Sequence, residues 1–358
     1  MKRILLTTTS LILAAGVASA DVTFSGTAEV GYNDHASTAK LNGAGAATAL
    51  KKGVYSDADL NIAMSAALDN GMSASASFEI DYAGTNQGGA LSSSDSVVSF
   101  SSDVASVTFG DTKHAAQGAW SAVGSMDKDA FRAADGENVT RVDVALGGMK
   151  LSVSEGNDTT GDTDAMTLGL TGTVGSVSFA LAHQNANTLL LDSDDNGAAS
   201  RLATTGVRAS TTMGGATVAF GYAKNTTGNS TGVSVSYPMG AITANASYVA
   251  ESVKTGTTKA NWDTGFAYTE GGMTLAANTD ESSDWNVDAS FALSGGATLF
   301  VGADDAGKDT YAGVSYGLGN GATLVASYAK DDNNDDGDDE VGAKAYKNGM
   351  TIELTFAF

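Results

Sequence analysis

Asp57-Ala58-Asp59-Leu60-Asn61-Ile62-Ala63-Met64-Ser65-Ala66-Ala67-Leu68-Asp69-Asn70-Gly71-Met72-Ser73-Ala74-Ser75-Ala76-Ser77-Phe78-Glu79-Ile80-Asp81-Tyr82 reads as two alternating runs joined by a tight turn. Ala58, Leu60, Ile62, Met64, Ala66 and Leu68 oppose Asp57, Asp59, Asn61 and Ser65. Past Asn70-Gly71, the residues Ala74, Ala76, Phe78, Ile80 and Tyr82 oppose Ser73, Ser75, Ser77, Glu79 and Asp81. A period of two is that of a pleated strand, and Asn-Gly supplies the positive backbone angles of a short hairpin turn. The unit recurs at Gly147-Gly148-Met149, Gly214-Gly215-Ala216, Met239-Gly240-Ala241, Gly271-Gly272-Met273, Gly295-Gly296-Ala297, Asn320-Gly321-Ala322 and Asn348-Gly349-Met350. Repeated hairpins with no helical stretch point to an all-β fold, an antiparallel up-and-down β-barrel.

Alternation alone leaves a soluble sandwich open, because its apolar face would be buried where a membrane barrel shows it to hydrocarbon. The aromatic residues decide between them. Phe100, Tyr237, Tyr268 and Tyr316 each precede a short turn, and Tyr222, Tyr248 and Tyr328 lie a full strand away from one. With strands tilted by about 40°, this spacing matches two interfacial girdles on either side of an apolar band roughly 20 to 25 Å tall.

Twenty alternating segments can be counted. The last runs over 341–358, with Asn348-Gly349 read as a bulge, since a turn there would make the strand number odd. Short glycine turns fall at one rim. Longer stretches rich in Asp, Asn, Gly, Ser and Thr fall at the other, at 33–53, 83–94, 111–139, 184–200, 250–260 and 330–340.

Residues 1–20 have the three parts of a secretory leader: basic Lys2-Arg3, an apolar stretch within Ile4 to Val17, and Ala18-Ser19-Ala20 as a cleavage pattern. The mature barrel domain is thus expected over 21–358. No later window reaches the length of a transmembrane helix, which excludes a helical membrane protein. The chain has no cysteine, so disulfides and thiolate metal sites are excluded. Without Lys2 and Arg3 the chain has 17 basic against 41 acidic residues, a net charge of -24. Such a field repels nucleic acid and draws in cations.

Enzyme signatures are missing. His35, His114 and His183 fall in or beside different loops, and no nucleophile elbow, phosphate-binding loop or HExxH occurs. The expectation is no reaction and no cofactor. Asp192, Asp194 and Asn196, and again Asp332, Asn334 and Asp336, match the opening of a calcium loop, but Ala203 and Ala343 stand where the closing glutamate belongs. Loose Ca2+ binding at the outer rim is the reading these loops allow.

The leader, the first strand Asp21-Val22-Thr23-Phe24-Ser25-Gly26, the segment Ser106-Val107-Thr108-Phe109-Gly110-Asp111-Thr112 before a long loop, and the closing Ile352-Glu353-Leu354-Thr355-Phe356-Ala357-Phe358 together resemble the general diffusion porins of the Gram-negative outer membrane, particularly the alphaproteobacterial type. The resemblance covers essentially the whole mature chain and implies sixteen strands, against twenty by count. It implies passive diffusion of ions and small hydrophilic solutes across the outer membrane, amid its lipid and lipopolysaccharide, with Phe358 read by the assembly machinery. It also implies a homotrimer, for which Gly26, Ala28, Ala58, Ala74 and Ala76 on the outer face would allow close packing. The third loop would fold inward and narrow the pore, carrying Asp127, Asp129, Arg132, Asp135 and Glu137. A Pro-Glu-Phe segment frequent in that loop and an arginine-rich wall opposite it are both absent here.

By strand parity Glu29, Asp57, Asp59, Glu79 and Asp81 line the pore with Arg141, Lys150 and Arg208. The acidic majority predicts a cation-selective lumen. Competing readings are a surface adhesin or structural outer-membrane β protein, whose coils would repeat at constant spacing, and a substrate-specific channel, which would need an aromatic or basic track.

Overall fold

The computed structural model describes residues 20–35, 53–85, 88–132, 138–157, 163–186, 202–254, 258–331, 340–342, 344 and 346–358. Its first strands are β1 (Ala20–Asn33), β2 (Gly53–Ala67), β3 (Ser73–Thr85), β4 (Gly88–Ser101) and β5 (Ala105–Gly110), followed by a short helix α1 (Ala115–Ala119). Next come β6 (Asn138–Leu146), β7 (Met149–Asn157), β8 (Thr163–Val174), β9 (Val177–Gln184), β10 (Thr204–Met213), β11 (Ala216–Lys224), β12 (Gly228–Met239) and β13 (Ile242–Val253). The wall continues through β14 (Ala260–Glu270), β15 (Met273–Asp280), β16 (Trp285–Ala292), β17 (Ala297–Asp304), β18 (Asp309–Gly319) and β19 (Ala322–Lys330). A two-residue pair, β20 (Glu340–Val341) and β21 (Tyr346–Lys347), precedes the closing strand β22 (Gly349–Ala357).

Each of β1 to β19 pairs antiparallel with its sequence neighbour, β19 pairs with β22, and β22 pairs with β1, which closes a barrel of 20 strands. This is the upper strand count read from the sequence, four above the sixteen that the resemblance implies. Closure leaves no open sheet edge in the ring, so the backbone donors and acceptors along its ladders are paired strand to strand without water. The seam also uses the chain terminus: Gly26 and Phe358 exchange both backbone hydrogen bonds at 3.0 Å.

The turns have the geometry that their residues require. Gly147-Gly148 (φ 58° and 92°) and Asn320-Gly321 (φ 52° and 79°) place both central residues at positive φ, which matches the right-handed twist of the flanking strands.

The apolar residues face outward. Along β17 the outward Leu299 and Val301 are 46% and 53% exposed, while inward Phe300 is 9% exposed. Phe100, Tyr237, Tyr268 and Tyr316 lie at the turn rim; Tyr222, Tyr248 and Tyr328 lie at the other, where Tyr248 sits beside Trp262 in register. This inversion of a soluble fold means that hydrocarbon covers the outer face and water fills the inside.

Two expectations change. Residues 83–94 are mostly strand, because a register shift between Ser77 and Glu79 absorbs an extra residue of β4 and lets β3 and β4 run on to Thr85 and Gly88. Asn348-Gly349 is not a bulge inside one long strand. Gly349 (φ 86°) marks the point where the chain leaves the barrel interior and enters the wall as β22, and a Cβ there would lie 2.6 Å from Asp34 Oδ1. The expected leader, apart from Ala20 in β1, lies outside the described residues. So do Asp192, Asp194, Asn196, Asp332, Asn334 and Asp336 of the calcium-like loops, and Asp135 and Glu137 of the third loop.

Candidate functional site

The segment after β5 turns into the barrel. Its described part, 111–132, lies against the inner wall from β7 to β14. His114 is buried with Nδ1 3.3 Å from Ser154 Oγ, and the Ala115 and Ala116 N–H groups donate to Ser154 Oγ (2.8 Å) and Thr167 Oγ1 (3.1 Å). Further on, the Asp127 N–H donates to Glu251 Oε1 (2.9 Å), the Lys128 N–H to Ser230 Oγ (2.9 Å) and the Arg132 N–H to Gln184 Oε1 (2.8 Å). Asn261 Nδ2 donates to the Ser125 carbonyl (2.8 Å).

Glycines on the inner wall leave the room for this seat. A Cβ at Gly169 would lie 2.4 Å from the Ala115 carbonyl, one at Gly206 2.5 Å from the Trp120 ring, and one at Gly232 2.3 Å from the Val123 carbonyl. Val123 and Met126 then pack on Ala219, Ala223 and Val249, an apolar cluster inside an otherwise polar lumen.

The sequence-predicted residues of this loop take different positions. Asp127 is exposed, whereas Arg132 is 2% exposed and held against the wall. Asp129 is half-buried and accepts from the Trp120 indole N–H at 2.9 Å. Burial raises its carboxyl above the ordinary aspartate range, with the indole hydrogen bond opposing. A raised acid strengthens the seat in acid, below its unfolded value, and that contribution fades as pH rises through the folded value. Asp129→Asn keeps an acceptor for the indole without a charge, so its Trp120 emission should stay constant through the acid range in which the parent's red-shifts as pH rises. Identical pH profiles in both proteins would refute this.

Of the wall residues, Glu29, Asp57, Asp59, Glu79 and Asp81 share the inner face of β1 to β3. Asp59 and Asp81 are directly opposite in register, and Asp59, Glu79 and Asp81 bring carboxylate oxygens within 4.8 Å of one another. Thr27 and Ser94 hydroxyls donate to Asp59 (3.1 Å) and Asp81 (2.9 Å). Arg141 is clamped beneath the loop, donating to Asp143 through Nε (3.1 Å) and Nη2 (2.9 Å) and to the Lys113 carbonyl (3.2 Å). Lys150 lies 3.7 Å from the same Asp143, and Arg208 faces inward on β10. In a ring of twenty strands β2 and β12 are half-way round from each other, so the acidic wall faces the seated loop across the lumen.

A second inward segment was not anticipated. Tyr346 and Lys347 of β21 lie inside the barrel near β17, β18, β22 and β1. The sequence signal for it is Asn348-Gly349, which reads locally as a bulge and in the structure has Gly349 at positive φ.

The barrel is thus closed, apolar outside and polar inside by alternation, and narrowed by a loop after its fifth strand. The family model for Gram-negative porins matches residues 7–336. The chain belongs to that family. Solved structures similar to this porin include a mutant of the Rh. blastica porin, 14% identical at a TM-score of 0.48, and a triple mutant of the Rhodopseudomonas blastica porin, 14% identical at 0.47. Another is a chain described under asymmetric conductivity of engineered proteins, 15% identical at 0.49. Each alignment covers 94% of this chain and 100% of the other. No curated protein matches. The porin is a multi-pass β-barrel of the outer membrane, and its lumen is the channel.

Proposed function

We propose that this porin passes ions and small hydrophilic solutes by passive diffusion, with cations favoured over anions, and that it works without cofactor or reaction. The observation that carries the selectivity is the gathering of Asp59, Glu79 and Asp81 within 4.8 Å on the wall opposite the loop. Like charges gathered in a narrow, low-dielectric passage focus a negative potential on passing ions. Arg141 and Lys150 add little against it, since both lie on Asp143, while Lys347 stands beside Glu29 and Glu353 at the edge of the acidic wall. Homotrimer assembly, cleavage after Ala20, recognition of Phe358 and loose Ca2+ at the outer loops remain part of the same reading through the family's habits and the loop compositions.

The test is the zero-current potential of the refolded mature protein in a planar bilayer under a KCl gradient. K+ is expected to permeate better than Cl-, and the triple variant Asp59→Asn, Glu79→Gln, Asp81→Asn to lose most of that preference while keeping its conductance. Equal K+ and Cl- permeation in the parent would refute the selectivity. A folded, inserted barrel that carries no current would refute the diffusion channel itself.

A further inference from the structure

Described residues between β19 and β22, Val341, Tyr346 and Lys347 among them, form a second inward element on the side of the barrel away from the third loop. Val341 is buried with Phe300, Tyr311 and Ala329. The Tyr346 ring stacks on Phe300 at 4.4 Å and 9° and tilts against Tyr311 at 4.8 Å and 33°. Tyr311 in turn donates its hydroxyl hydrogen bond to Asp288. These aromatic faces are used up in fixing the segment to the wall, so they anchor it rather than offer a track for solutes.

Beyond that anchor, Lys347 Nζ lies 3.0 Å from Glu353 Oε2 and 3.5 Å from Glu29 Oε1, and 4.2 Å from the centre of the Tyr55 ring. Tyr55 donates its hydroxyl to the same Glu353. The Asn348 carbonyl accepts from Asn33 Nδ2 at 2.9 Å, which ties the end of the segment to the seam. Glu353 is the middle residue of β22 and Glu29 lies about two-thirds of the way along β1, so the ammonium stands within the height of the wall. A bay of about 630 Å³ opens beside it, carpeted by Thr274, Ser290, Thr298 and Thr323. The Lys347 side chain is 35% exposed, so it meets the channel water as well as its carboxylate partners.

We infer that Lys347 is a selectivity-setting residue of the channel, carried on a second inward segment and offsetting the acidic wall where that wall adjoins β22. The inference rests on the diffusion-channel reading. With the ammonium present, Glu29 and Glu353 are neutralised in part, and the negative charge of this part of the wall is weighted towards the carboxylates of β2 and β3. Without it, the carboxylates of β1, β2, β3 and β22 form one continuous negative arc. A water-exposed charge at a narrow point changes the local concentration of both ion signs in opposite directions, so the permeability ratio responds to it more steeply than the total current does.

The experiment compares zero-current potential and single-channel conductance of the full-length barrel with Lys347→Met, Lys347→Glu and the double variant Lys347→Met, Glu353→Gln. The K+ over Cl- permeability ratio is expected to rise severalfold in Lys347→Met and further in Lys347→Glu. It should fall back towards the parent in the double variant, whose net charge equals the parent's. If Lys347→Glu fails to insert, the other two still decide. A parent that conducts, with ratios unchanged in all inserted variants, would overturn the inference and make Lys347 a structural latch only. A double variant as selective as Lys347→Met would overturn it too. A parent that carries no current would overturn the channel reading beneath it.

Discussion

Replacing 113–131 with a short linker should multiply single-channel conductance severalfold and leave a folded barrel. The wall does not need the loop: β5 and β6 are direct neighbours, with Gly110 opposite Val139, so a tight connection can join them. All wall pairings of β6 to β14 are backbone ladders that persist when the loop is gone. The loop itself covers a large part of the interior, since it reaches from β7 to β14 and seals Val123 and Met126 against the wall. A barrel of sixteen to eighteen strands already encloses an aqueous channel, so twenty strands without this filling would be wider still. Selectivity should fall with the same excision, because the acidic wall would act across more water, where charges are screened over about 8–10 Å. The measurement is single-channel current in KCl. Unchanged conductance would place the narrowest section elsewhere, with the Lys347 segment as the first suspect.

The second large effect is expected at Glu251. This carboxylate is 1% exposed and accepts from the Asp127 N–H at 2.9 Å and from Ser230 Oγ at 2.7 Å, and Ser230 Oγ itself receives the Lys128 N–H. One side chain on β13 thus fixes two successive residues of the loop. Glu251→Leu keeps the bulk and removes both acceptors, stranding donors in a place with little water. Hydrogen bonds to a charged group are worth about 1.5–3 kcal/mol each, part of which is recovered when Ser230 re-aims, so the seat should weaken by about 2–4 kcal/mol. With tenfold per 1.4 kcal/mol, the unseated fraction rises by roughly one to three orders of magnitude. The readout is switching between two current levels, the higher one matching the excised loop. Glu251→Gln, which retains an oxygen acceptor, should switch less. A silent Glu251→Leu trace at parent conductance would show that glycine packing alone holds the loop.

The wall was legible in the sequence because its rule is local. Period-two alternation at Asp57 to Tyr82 and the Gly-Gly and Asn-Gly turns each fix a hairpin without reference to anything distant, and twenty such segments give the ring. Inward parity likewise placed Asp57, Asp59, Glu79 and Asp81 on one face. What the sequence hid was burial by distant chain. Arg132, expected with the charged residues of the constricting loop, lies buried against β9, because its position depends on a contact with Gln184 that no local pattern announces. The same holds for Tyr346, whose partners Phe300 and Tyr311 sit on other strands. A usable trace did exist: Gly169, Gly206, Gly221 and Gly232 all have inward parity, where a side chain is cheap to keep, and their bareness marks the seat of the loop.

The seam between β1 and β22 has a consequence for how the molecule forms. Every other wall contact joins neighbouring hairpins and can be made as the chain arrives, whereas the Gly26 and Phe358 bonds join opposite ends. Until the final strand is in place the growing sheet carries two open edges, both able to recruit a neighbouring chain. Closure is then the slowest step by loop entropy and the one that ends the hazard. A chain shortened by its last strand would make its hairpins at the normal rate and still collect as aggregate. That asymmetry makes the pairing of β22 with β1, rather than any hairpin before it, the step that ends the exposure of both edges.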